Sequence, residues 1–225
     1  MSTELLLLGF IRAAAADLVQ KVRTPALTVI TGAGRAVSGV ATPLEAWPQG
    51  LAGLKLQNDI LWQLHDLDAA LPARAGTIFT SEDDLQDLMA RYDNEIGRRL
   101  DLVTGKVELG IELWTADGHI TCDPASGPGR QYLLRLGSDK YEPGPVGGLC
   151  ANLHQRLVEV CTNSVRQACL RPNTVFRASY LVPKDRMQDF KSIVAEGMKG
   201  FDDLGVFITG PWPPYSFSCL ELNGE

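Results

Sequence analysis

Near the C-terminus the chain reads Thr209-Gly210-Pro211-Trp212-Pro213-Pro214-Tyr215-Ser216-Phe217. Three prolines, one glycine and three aromatics within nine residues leave the backbone few options. Proline fixes φ and lacks an N–H, so this run is neither a helix nor a central strand. Pro213-Pro214 favours an extended, polyproline-like path. Trp212 precedes a proline, which pushes its own backbone out of the α region. The run follows Val206-Phe207-Ile208, which reads as a buried strand. The expectation is a stiff aromatic strip that leaves a core strand at a fixed angle. Two compatible roles follow. In one, Trp212, Tyr215 and Phe217 form a lid over a hydrophobic core; in the other, the strip docks another protein.

The rest of the chain must supply that core. Its 225 residues suffice for one large domain or two small ones. Lys and Arg number 21 against 27 Asp and Glu, a net charge of −6, which argues against non-specific nucleic-acid binding. Leu5-Leu6-Leu7-Leu8-Gly9-Phe10-Ile11 is too short for a transmembrane helix. It has no basic stretch before it and no small-residue cleavage site after it, so it reads as a buried strand rather than a signal peptide. A cytoplasmic location is expected on that basis. Five cysteines, with no CxxC pair, read as free thiols in such a compartment.

Along the chain, residues 4–11 read as a first strand and the alanine-rich stretch 12–22 as helical. Residues 26–31 and 36–41 read as two strands joined by a turn at Gly32-Ala33-Gly34. Leu54, Ile60, Leu61, Leu64, Leu67 and Leu71 recur at helical steps and predict a helix over 54–71. Residues 76–80 read as a short strand. Ser81 caps the next helix, and Asp84 stands where a capping box places its acid. Leu85, Leu88, Met89, Tyr92, Ile96 and Leu100 line that helix. A second start comes near Val103. Residues 106–115 alternate as a strand, 117–129 read as loop, and 130–136 stay ambiguous between helix and strand. The spacing of Val146, Leu149, Leu153, Leu157, Val160, Val165 and Ala168 predicts a helix of about 24 residues. A strand over 174–182, a helix with Met187, Phe190, Val194 and Met198, and a strand over 204–209 follow, with a further edge strand over 218–222. This pattern predicts an α+β protein of two domains. Residues 1–103 form an N-terminal α+β domain, and residues 104–225 a modified ferredoxin-like domain with a Pro/aromatic C-terminal tail.

The candidates for chemistry are few. Gly32-x-Gly34 follows a strand, but a dinucleotide site needs a third glycine at position 37, which is Val37. A hairpin turn explains these glycines. His119, Cys122, Cys150 and His154 carry zinc-type ligands, yet neither pair has a usual zinc spacing, and the second pair sits in an apolar helix. Cys150, Cys161 and Cys169 lie near that helix's apolar stripe, where free cysteine is a small core residue. His65 closes a helix beside Asp66 and Asp68, a commonplace position for histidine. Phe176 and Tyr180 lack the basic and glycine context of a base-stacking sheet, so core packing explains them. No catalytic residue, metal ligand or cofactor site is assigned. The alternative to an interaction protein is a cytosolic two-domain protein that binds a small ligand or acts as a metal-dependent enzyme.

Three stretches carry a resemblance. Leu71-Pro72-Ala73-Arg74-Ala75-Gly76-Thr77-Ile78-Phe79-Thr80-Ser81 precedes an acidic helix. Gly105-Lys106-Val107-Glu108-Leu109-Gly110-Ile111-Glu112-Leu113-Trp114 forms a strand. Ala178-Ser179-Tyr180-Leu181-Val182-Pro183, then Phe190, then residues 209–217 close the chain. In order and approximate spacing these resemble the GvpF/GvpL family of gas vesicle proteins. The last piece is the most specific, while Ala75 and Leu109 replace the family's usual Phe and Trp. The resemblance implies a non-enzymatic accessory protein of gas vesicle assembly with two α+β domains. It implies association with the small hydrophobic shell protein GvpA and with other accessory Gvp proteins, at the gas vesicle or in the cytoplasm. The docking role of the strip makes Trp212, Pro213, Pro214, Tyr215 and Phe217 the candidate partner-binding residues, and neither nucleic acid nor membrane is expected as a partner.

Overall fold

The computed structural model describes residues 4–22, 27–32, 36–115, 144–169, 171 and 173–218. His119, Cys122, the stretch 117–136 and the expected edge strand beyond Ser218 lie outside the described residues. The chain folds into two compact units. The first runs from the N-terminus to Val107 and includes the described residues from Trp212 onward; the second spans Glu108–Pro211.

The first unit is built on β1 (Leu5–Arg12), followed by a 3₁₀ helix over Ala13–Lys21. Strands β2 (Thr28–Thr31) and β3 (Val37–Pro43) pair antiparallel, with Thr31 opposite Ser38. Helix α1 (Leu51–Leu67), β4 (Ala70–Pro72), β5 (Ile78–Phe79) and α2 (Glu82–Val103) complete it. The strand order is β2-β3-β1-β4, and β5 also pairs with β1. Strand β1 is central and buried on both faces, which is why its sequence is continuously apolar rather than alternating. Leu6, Leu8 and Ile11 meet Ile60, Leu61 and Leu64 of α1. Leu85 and Met89 of α2 instead approach Gly39, next to Leu7. The register of β1 against β3 shifts between Leu7 and Gly9. There the Leu8 carbonyl accepts from the Ala73 N–H at 2.9 Å and from Gln57 Nε2 at 3.2 Å. The same buried Gln57 amide donates to the Ala73 carbonyl at 3.2 Å, so one side chain satisfies two inward-facing carbonyls.

Helix α1 is shorter than the leucine spacing predicts. It ends at Leu67, and Leu71 instead pairs with Phe10 in β4. The strand's backbone groups find partners on β1 that helix continuation would have denied them. Helix α2 begins as expected. Ser81 Oγ accepts from the Asp84 N–H at 3.2 Å, and hydrogen bonds from Thr80 and then Ser81 hold the Asp84 carboxyl below the usual carboxylate range.

The second unit contains β6 (Lys106–Thr115), α3 (Pro145–Val158), β7 (Asn163–Arg166), β8 (Thr174–Pro183), α4 (Met187–Gly197) and β9 (Leu204–Trp212). The sheet order is β7-β8-β6-β9. Its core joins Leu109, Ile111 and Leu113 of β6 to Phe176, Ala178, Tyr180 and Val182 of β8, Leu153 and Leu157 of α3, and Phe190 and Val194 of α4. Arg156 of α3 pairs with Glu196 of α4 at 2.7 Å.

Here the expected long helix is corrected. It stops at Val158, and Val165 belongs to β7, antiparallel to β8 with Val165 opposite Ser179. Residues 160–165 read Val-Cys-Thr-Asn-Ser-Val, a run of poor helix formers whose β-branched members suit a strand. Val206-Phe207-Ile208 is also less buried than expected. It lies in β9, at an edge of the sheet among the described residues, with Val206 and Ile208 partly covered and Phe207 57% exposed. An edge position explains how this strand tolerates Pro211.

Candidate functional site

The Pro/aromatic strip divides where β9 ends. The peptide before Pro211 is cis, and Gly210 has φ of 97°, a left-handed conformation that glycine adopts at little cost. Pro213 and Pro214 are both buried. A single 3₁₀ turn over Tyr215–Phe217 follows. The Tyr215 N–H donates to the Pro213 carbonyl at 2.8 Å, and the Phe217 N–H to the Pro214 carbonyl at 3.1 Å. Ser218 Oγ donates to the Tyr215 carbonyl at 2.8 Å. The N–H groups of Tyr215 and Phe217 are thus satisfied within the turn, with the proline carbonyls as acceptors.

The turn is fastened to the rest of the first unit at several points. Phe217 is only 3% exposed. Its carbonyl accepts from Arg99 Nη1 at 3.4 Å, and Arg99 Nε is itself held by Glu95 at 2.7 Å. Tyr215 packs against the cluster formed by β1, β3 and α1, and its hydroxyl lies 3.5 Å from Asn58 Oδ1. Trp212 differs, being 44% exposed. Of the five residues singled out in the sequence, the structure brings Pro213, Pro214, Tyr215 and Phe217 together as a covering turn and leaves the Trp212 indole accessible. A half-exposed tryptophan on a proline-stiffened backbone is a large amphipathic contact with little conformational freedom to lose.

The described half of the zinc-type set has a different character. Cys150 and His154 lie one turn apart on α3. Burial pushes the Cys150 thiol up to about 11, and likewise the Cys161 thiol to about 11, so both are protonated near neutral pH and poor as nucleophiles or ligands. His154 Nδ1 lies 2.8 Å from the buried Tyr180 hydroxyl. Among the described residues, no group of three or more His, Cys, Asp and Glu side chains is placed to hold a metal ion. His65 is buried in the first unit. Its Nδ1 accepts from the Ala70 N–H at 3.2 Å and its Nε2 faces the Lys106 carbonyl at 2.5 Å, which fits the Nε2–H tautomer. It ties the end of α1 to β4 and to the start of β6. Arg12, Gln57 and His65 all serve as polar ties in this way. In the sequence only Arg12 stands out, as one polar side chain inside an apolar run; Gln57 beside Asn58-Asp59 and His65 beside Asp66 carry no such mark.

Among the described residues no helix is long and apolar enough to cross a membrane. A family model described as gas vesicle synthesis protein GvpL/GvpF matches residues 45–123 and 147–218, well over half of the chain. The chain belongs to the GvpL/GvpF family. The matched span includes the whole strip from Thr209 to Phe217. Gas vesicle protein L of Streptomyces sp. (strain CB03234) is 28% identical over 218 residues, covering 86% of this chain and 80% of that relative. Gas vesicle protein F2 of Halobacterium salinarum (strain ATCC 700922 / JCM 11081 / NRC-1) is 23% identical over 196 residues, covering 85% and 80%. The crystal structure of GvpF from Anabaena sp. PCC7120 has the same fold, with a TM-score of 0.71 at 13% identity, covering 100% of this chain and 99% of that one. That of GvpF from Microcystis aeruginosa gives 0.66 at 15% identity, covering 97% and 100%. The GvpL/GvpF assignment ties the chain to gas vesicles in an accessory role.

Proposed function

We propose that this GvpL/GvpF protein is a non-enzymatic factor of gas vesicle assembly that binds the hydrophobic shell protein GvpA and other accessory Gvp proteins, in the cytoplasm and at the vesicle. The observation that carries the reading is the family match across the strip, together with the one large aromatic of that strip left open, Trp212. Shell subunits present apolar surface before they polymerise, and that surface must be covered or aligned to avoid non-specific aggregation. In this reading Trp212 supplies the contact, while Pro213, Pro214, Tyr215 and Phe217 hold it in place. The two compact units support a two-domain organisation close to the expected 1–103 and 104–225, with residues 104–107 and the turn that follows Pro211 lying with the first unit. The element order β6-α3-β7-β8-α4-β9 and the sheet order β7-β8-β6-β9 support a ferredoxin-like second domain.

Co-purification with tagged GvpA tests the reading. The wild-type chain is expected to be retained, and Trp212→Ala to lose most of that retention while remaining folded. Failure of the folded wild-type chain to associate with GvpA removes the proposed partner.

A further inference from the structure

The two edges of the second sheet are built differently. Strand β7 has four residues and carries Arg166. Short edges and charged side chains are the usual protection against unwanted strand pairing. Strand β9, the other edge among the described residues, has nine residues, Leu204–Trp212, with no Asp, Glu, Lys or Arg among them. Near its middle sits Phe207, 57% exposed, while its neighbours Val206 and Ile208 turn toward the core of the unit. By strand alternation Phe207 stands on the face of the sheet away from that core.

The strand is also close to symmetric about Phe207. Pro211 lacks an N–H and closes one end of the usable edge, leaving Leu204–Gly210. An antiparallel copy centred on Phe207 sets Val206 opposite Ile208, Gly205 opposite Thr209 and Leu204 opposite Gly210. The two β-branched pairs so formed are favourable cross-strand neighbours, and the two Phe207 rings meet at the centre. No charge opposes a like charge, although each chain carries a net −6 elsewhere.

We infer that β9 is a self-association edge, and that a second copy of this chain pairs with it antiparallel about Phe207 to continue the four-stranded sheet across a two-fold axis. Such an isologous contact uses one patch twice, so a neutral, self-matching strand is the chemistry it requires. Backbone hydrogen bonds give the contact its affinity and the central aromatic pair its register. The interface does not use Trp212 and stands independently of GvpA binding.

Sedimentation of the full-length chain over a concentration series provides the test. The wild-type mass is expected to rise from 24.5 kDa toward twice that value. Phe207→Lys is expected to weaken the association at least about tenfold, since it sets two like charges opposite each other on desolvated backbone. Its circular dichroism, and its unfolding midpoint at concentrations where the wild type is monomeric, should match the wild type, because the side chain is exposed. Hydrogen exchange gives a second reading: amides of Leu204–Gly210 gain protection as wild-type concentration rises, and do not in Phe207→Lys. A chain that stays monomeric throughout, or a dimer indifferent to Phe207→Lys with unchanged exchange at these amides, overturns the inference.

Discussion

Arg12 and Asp68 form a two-pronged ion pair, with Nη1 of Arg12 3.0 Å from Oδ1 and 3.1 Å from Oδ2. Nη2 reaches Asp101 and the Thr104 hydroxyl, each at 2.8 Å. The hydrogen bond to Asp101 first, then that to Asp68, raises the guanidinium further above its already high range, so Arg12 stays charged at any working pH. One residue at the end of β1 thereby fastens the ends of α1 and α2. Arg12→Ala is expected to cost about 1–3 kcal/mol in chemical denaturation, the range for charge-assisted hydrogen bonds at a partly exposed site. Arg12→Lys should recover less than half of that loss, because an ammonium cannot span the same forked partners.

Gly9 predicts an intolerance of the opposite kind. A methyl added there would lie 2.5 Å from the Leu71 carbonyl oxygen and 2.8 Å from a methyl of Leu61. The first of these is backbone, so β4 must move. Gly9→Ala is expected to destabilise the protein by about 1–3 kcal/mol despite its small size, as overpacking does. Gly97→Ala, with open space around the added carbon, serves as the control. Its effect should be neutral or stabilising by up to about 1 kcal/mol, since alanine is the better helix former. Urea unfolding of the two variants checks the contrast.

His154 makes stability depend on pH. Burial first, and then the positive Arg166, lower its pKa from the ordinary histidine value. The unfolded chain therefore binds this proton more readily than the folded one. The corresponding stability is fully present above the unfolded value of about 6.5 and is lost as pH falls through the lower folded value. Unfolding measured at pH 7.5 and at pH 5 should show a loss in the wild type that is smaller in His154→Gln.

Within the strip, folding and docking separate by residue. Phe217→Ala removes a fully covered ring and is expected to cost about 3–5 kcal/mol, visible as a lowered thermal midpoint. Trp212→Ala should cost clearly less than Phe217→Ala, because nearly half of Trp212 remains in water whereas Phe217 is covered. The proposed contact role requires the reverse order in GvpA retention among folded variants.

What could be read beforehand was whatever local chemistry decides. The Ser81 cap, the bounds of β6 and the β2–β3 pair rest on capping, alternation and β-branched runs, and each stands in the structure as expected. Strand β7 was hidden because Val165 and Ala168 happen to continue the helical spacing of α3, and periodicity does not register a break. Leu71 deceived in the same way, since α1 and β4 share one leucine rhythm. The exposure of Phe207 depends on the place of β9 at a sheet edge, which no local pattern encodes. In the Pro/aromatic run the strand expected to end at Thr209 continues as β9 to Trp212, and a turn over Tyr215–Phe217 follows. That its terminal turn would cover the first unit, leaving Trp212 open, required the long-range contacts of Phe217 and Tyr215. The family resemblance was carried by motif order and is confirmed by the matched residues.

Deletion of the gene in its host, with complementation, tests the central claim most directly by measuring gas vesicle content through buoyancy and phase-bright bodies. Loss of vesicles on deletion, restored by the wild-type gene and not by the folded Trp212→Ala variant, is the predicted result. Vesicles of normal number and form in the deletion strain would contradict it.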